Sequence, residues 1–208
     1  MTHQKNLSTQ ISNSFKSILK ITGLTLVIGS TFLTSNVQAQ SGMDGLKKVM
    51  KEQYQMMTPE LQSKVDTLST DTKMSLMTIL SMHNRQSNQA TLRQVMLEVL
   101  TDYQTMTMGI MISSPEMTAD AARRLANHRI PVGGLIPYLG LENINDGRLA
   151  VLEGFNDSVE GNANKLAQAA EKGDMGTAAS LVGTITSGCV GCHAVFRPGN
   201  IGVSDLLK

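Results

Sequence analysis

Two thiols three residues apart, with an imidazole directly after the second, are the group in this chain whose types and spacing point to a definite chemistry. They lie in the run Cys189-Val190-Gly191-Cys192-His193, and these two cysteines are the only ones among 208 residues. Cys-x-x-Cys-His is the attachment pattern for c-type haem: the thiols add across the vinyl groups as thioethers, and the adjacent imidazole binds the iron. His193 is therefore the expected metal ligand. Two other readings use the same residues, a plain disulfide and a thiol redox pair. A redox pair favours a helix N-terminus after a strand, where the dipole lowers a thiol pKa. Here the pair falls late in a helical pattern with no strand before it.

The elements that must position this group all read as helix, because no strand-like alternation persists after the first forty residues. Ala178, Val182, Ile185, Cys189, Cys192 and Phe196 form one stripe in the last helix. Spacings of three and four put Cys189, Cys192 and His193 on one face of it, expected to turn inward. A second stripe, Leu92, Met96, Val99, Tyr103, Met106 and Ile110, marks an earlier helix with Met96 at its centre. A third helix is expected through Leu152, Phe155, Val159, Leu166 and Ala170, stopped by Lys172-Gly173. A shorter one, about Pro115 to His128, starts with Ser114 as cap and Pro115 in the first turn. The Gly-, Pro- and Asn-rich stretch from Ile130 to Asp146 is the one long connection. Four such helices with a long crossover predict an all-α fold, a four-helix bundle whose core can hold a cofactor.

Before the bundle, residues 40–88 read as an extension of further helices. Leu46, Met50, Tyr54 and Met57 keep one spacing, Thr58-Pro59-Glu60 is a helix start, and Met74, Met77 and Leu80 make another stripe after Thr70. Residues 1–39 read as an export signal. Lys5, Lys16 and Lys20 precede the apolar stretch Ile21 to Leu33, and Val37-Gln38-Ala39 is a small-residue cleavage site. The bundle is then expected over residues 89–208. No later segment is read as a membrane span, and the exported protein is expected to be periplasmic and soluble.

Removing residues 1–39, which hold three Lys and no acid, lowers the formal charge from +1 to −2. Nucleic acid and anionic membrane, which are held by clustered Lys and Arg, are thereby excluded as expected partners. With aromatics at 3% and no Trp, the core must come from aliphatic residues and an unusual supply of Met, 14 in all. Met suits helical packing around an irregular group. His83 and His128 read as polar-face histidines, since neither occurs in a ligand-spaced pair. No general base, second metal set or substrate-positioning constellation is legible, so the chain is not expected to be an enzyme.

Residues 125–197 resemble the cytochromes c-prime and their low-spin relatives, the class II cytochromes c. The resemblance rests on Cys189-Val190-Gly191-Cys192-His193-Ala194-Val195-Phe196-Arg197, with an aromatic and an arginine just after the histidine. Glu171-Lys172-Gly173-Asp174 before the last helix, and Arg93 with Leu97 in the first bundle helix, extend it to roughly residues 90–198. The Trp often found in the family's crossover is missing. The resemblance implies one covalently bound haem c, with Phe196 and Arg197 beside it and the iron's far side covered by the first bundle helix. Arg93, Gln94, Met96 and Leu97 are then the distal candidates, Leu97 takes the family's distal position, and Arg93 and Arg197 can neutralise propionates. Only 15 residues follow His193, with no Met or His among them, so any sixth ligand comes from upstream.

The expected function is electron transfer, binding of a diatomic gas, NO or CO, or both, at a five-coordinate haem whose sixth site Leu97 leaves open, with Met96 packing in the core. The alternative is a purely electron-carrying low-spin haem with Met96 as sixth ligand. Either way the partners are periplasmic redox proteins. Family members often pair through their first two bundle helices, and the extension is expected to cover that face, leaving a monomer or a rearranged homodimer.

Overall fold

A computed structural model describes residues 32–196 and 206–207. The expected export segment lies outside the described residues up to residue 31, and its end, from Phe32, begins the first helix. A compact unit spans Ala39–Lys208. Its regular elements among the described residues are helical, with only two isolated bridge pairs, Met57 with Leu207 and Gln86 with Ile130. The all-α expectation holds.

Three helices form the extension: α1 (Phe32–Met56), α2 (Pro59–Asp66) and α3 (Thr70–Ser81). As the sequence predicts, Thr58 caps α2, its hydroxyl accepting from the Leu61 N–H. In α3 the expected stripe is displaced: Met74 is exposed, and Leu76 and Ile79 pack inward. The cause is the partner, since α3 lies on α7 (Val151–Asn156) and that contact selects the face.

The longer helices are α4 (Leu92–Met111), α5 (Pro115–Ala126), α8 (Asn162–Glu171) and α9 (Met175–Phe196), with a short α6 (Asp146–Leu149) before α7. α4 opens on a capping box, in which Thr91 accepts from the Gln94 N–H and Gln94 accepts from the Thr91 N–H. Ser114 stands at the cap position of α5, but its side chain makes no cap bond. The single helix expected from Leu152 to Ala170 is interrupted by a π turn, Asp157–Gly161. Its inserted residue shifts the helix faces by about 100°. Leu152 and Phe155 therefore serve one core cluster while Val159, Ala163 and Leu166 serve another. At the end of α8, Gly173 takes φ +76° and its N–H reaches the Ala170 carbonyl, while the Asp174 N–H reaches Ala169. That double closure needs a left-handed residue, which is why the predicted Lys172-Gly173 stop works.

α4 packs on α5, α5 on α8, α8 on α9, and α9 back on α4. Each neighbour runs antiparallel to the last. Gly109 meets Thr118 while Glu98 pairs with Arg129; Glu171 pairs with Arg123 while Glu160 pairs with His128; Val159 faces Gly188 while Phe155 faces Gly191. The start of α4 and the end of α9 thus share one end of the array. The buried line of α4 is Leu92, Val95, Met106 and Gly109, and Met96 is only half-buried. The close approach of α5 at Gly109 turns that line inward. The extension does not cover α4, whose Leu97, Leu100, Met108 and Met111 stay exposed.

Gly109 is where the α4–α5 approach is tightest: a Cβ there would stand 2.6 Å from Thr118 Oγ1 and 2.9 Å from its backbone nitrogen. Gly109→Val should cost about 1–3 kcal/mol by overpacking, read as a lower midpoint in chemical denaturation. An unchanged midpoint would mean that α5 is not held at this distance.

Candidate functional site

The motif occupies the last turns of α9. Cys189 and Cys192 are unbridged thiols, both half-buried, and His193 is exposed. Cys189 packs against the cluster built by α4, α5, α8 and α9, and Cys192 against the one shared with the extension and α7. The motif therefore sits at the seam of two cores. All three side chains were expected to turn inward; the imidazole does not, because a face that buries both sulfurs leaves His193 at its edge. Between the thiols, Gly191 lies under Phe155, where a Cβ would meet the ring at 2.9 Å. Phe196 is buried and meets Phe155 edge to face, with centroids 6.4 Å apart.

Burial raises the pKa of both thiols, and the nearby Glu160 carboxylate raises them further. For Cys192, which also feels Cys189, the result is about 11. Thiolates are not stabilised here.

α4 faces this end of α9. The Tyr103 hydroxyl is 2.7 Å from the Thr186 hydroxyl, fixing the register of the antiparallel pair. Seven residues along from each, about two turns, stand Met96 and His193, and each lies only about 20° around its helix from the Tyr103 or Thr186 direction. By ideal helix geometry Met96 and His193 fall at facing positions. Leu97 is about 120° from the Tyr103 direction and 57% exposed. It lines an open cleft of ≈ 400 Å³ with Gln94, Ser87, Ala90, Glu98 and Arg129. The Gln94 amide oxygen is engaged at the helix start, accepting from Thr91 N–H at 2.8 Å. Arg93 is exposed, and Arg197 lies outside the described residues. Among the described residues, no hydrogen bond or ion pair links the α4 candidates to the motif.

α9 is also the one helix among the described residues long and apolar enough to cross a membrane, contrary to the expectation that no such segment follows the export signal. Its run of small and aliphatic residues contains no Asp, Glu, Lys or Arg, and only 17% of its most apolar stretch is buried.

His83 and His128 are not on polar faces. His83 is 5% exposed, and the two rings lie 4.7 Å apart. The segments carrying them are bonded together: the Asn84 N–H donates to the Asn127 side chain, the Asn127 amide to the Asn84 side chain, and the Ile130 N–H to the Arg85 carbonyl. Residues so far apart in the chain give no local signal of this meeting. Against protein-family models, curated proteins and solved structures, the chain matches none.

Proposed function

We propose that this chain is an exported monohaem c-type cytochrome of the class II kind, a four-helix bundle of α4, α5, α8 and α9 with haem held by Cys189 and Cys192 and its iron bound by His193. The observation that carries the reading is the donor set: two unbridged thiols one helical turn apart, followed by an exposed imidazole that has no hydrogen-bond partner among the described residues. These residues fit the group. α9 adds an apolar, poorly covered face suited to a flat apolar ring system.

When bound, the haem would supply reversible one-electron chemistry and an iron site for a diatomic ligand. Cys189 and Cys192 would hold it by thioethers and His193 would bind its iron, with Phe155 and Phe196 packed beside the motif. Its work is then electron transfer, gas binding or both. The facing positions of Met96 and His193 favour the second of the two functions, a methionine-ligated electron carrier, over an open site beneath Leu97. Raised thiol pKa values argue against the thiol redox reading, which needs a stabilised thiolate.

Exported in a host with haem-attachment machinery, the protein should carry one haem per chain that resists acid-acetone extraction. Its pyridine haemochrome should be that of a haem with two thioethers. Extractable haem, or none, would overturn the reading.

A further inference from the structure

Three side chains from separate parts of the fold converge at the end of the array that also holds the motif. His83 follows α3, His128 follows α5, and Glu160 lies on the π turn. One donor atom from each lies within 4.8 Å of the others. π turns inside α-helices recur at functional sites because the inserted residue re-aims a side chain. Here it carries the carboxylate.

The tautomers follow from the hydrogen bonds. His83 Nδ1 is 3.0 Å from the Ile79 carbonyl, and His128 Nδ1 is 2.9 Å from the Arg129 carbonyl. A carbonyl only accepts, so each Nδ1 carries a proton and each neutral ring presents a lone pair at Nε2. His128 Nε2 then faces Glu160 Oε1 at 3.2 Å, acceptor against acceptor. Among the described residues His83 Nε2 and Glu160 Oε2 are buried without a partner, as is Asn156 Oδ1 four residues before Glu160. A proton on His128 Nε2 would satisfy one carboxylate oxygen and leave His83 Nε2 and Glu160 Oε2 stranded. Desolvation is the largest single influence and opposes such a charge, while the Glu160 carboxylate and the Arg129 carbonyl together raise the His128 pKa. A divalent cation among the three would give both Nε2 lone pairs and the Glu160 carboxylate a partner at once.

We propose that His83, His128 and Glu160 form a binding site for a divalent transition metal, with two imidazole Nε2 ligands and one carboxylate. Two His and one carboxylate are a ligand set for zinc and for non-haem ferrous iron, each with open positions left over. Metal–ligand distances of about 2.0–2.2 Å hold neighbouring ligand atoms about 3–4 Å apart, so the three side chains need to close by only about 1 Å. Both Nδ1–H groups already donate to backbone carbonyls, the outer contact that fixes a metal-binding imidazole. None of these residues belongs to the haem-binding set, so the inference is independent of the proposed function.

The full exported chain, stripped with chelator and dialysed against zinc, should retain one zinc per chain, counted by elemental analysis beside iron. Glu160→Gln and His128→Gln should each weaken binding by more than the about 100-fold that losing an outer contact can cost. Far-ultraviolet circular dichroism of the stripped variants reads folding separately. Cys189→Ser with Cys192→Ser should leave zinc uptake intact. No stoichiometric zinc in the wild type would overturn the proposal, as would uptake that survives both ligand variants or depends on the cysteines. Absence of covalent haem with zinc retained would sink only the cytochrome reading.

Discussion

Replacing both Cys189 and Cys192 with Ser should abolish the covalently bound haem proposed for this chain, leaving no haem-stained band on a denaturing gel. A serine hydroxyl does not form the thioether that a thiol adds across a vinyl group, so the loss is all-or-none for the double variant. Each single variant keeps one attachment point and should show a haemochrome shifted toward that of a haem with one thioether. Both cysteines are half-buried rather than fully enclosed. Exchanging sulfur for oxygen there should cost only about 1–3 kcal/mol in the polypeptide itself. A double variant that folds yet carries no haem isolates the chemistry from packing. Covalent haem persisting in it would remove the foundation of the proposed function.

Met96→Ala should convert a low-spin haem to a high-spin one that binds carbon monoxide when reduced, whereas Leu97→Ala should leave the wild-type spectrum in place. The expectation rests on the Tyr103–Thr186 contact, which sets Met96 opposite His193 and turns Leu97 toward the open cleft beside Glu98 and Arg129. A thioether sixth ligand raises the reduction potential, so the Ala variant should also be easier to oxidise. The near-infrared band of methionine-ligated ferric iron is the direct readout. A wild-type protein that is already high-spin, binds carbon monoxide and responds to Leu97→Ala would restore the five-coordinate reading that the family resemblance implies.

The sequence by itself determined the helical class, several helix ends and the motif. Thr58 before Pro59 starts α2, Pro115 opens α5, and Lys172-Gly173 ends α8, because caps and stops act through hydrogen bonds within a few residues. The apolar stripe of α9 was equally legible, with Ala178, Ile185 and Phe196 buried as the spacing requires. Tertiary structure decided which way each stripe turned and what met across it. Gly109 lets α5 approach so closely that Val95, rather than Met96, lies on the buried line of α4. The π turn splits an apparently continuous helix between two cores and places Glu160 beside His128. His83 reaches that pair only because the segments after α3 and α5 bond to each other across more than forty residues. Periodicity reports a helix face but not the partner that will claim it, and a site assembled from three distant segments exists only once long-range packing has set their register.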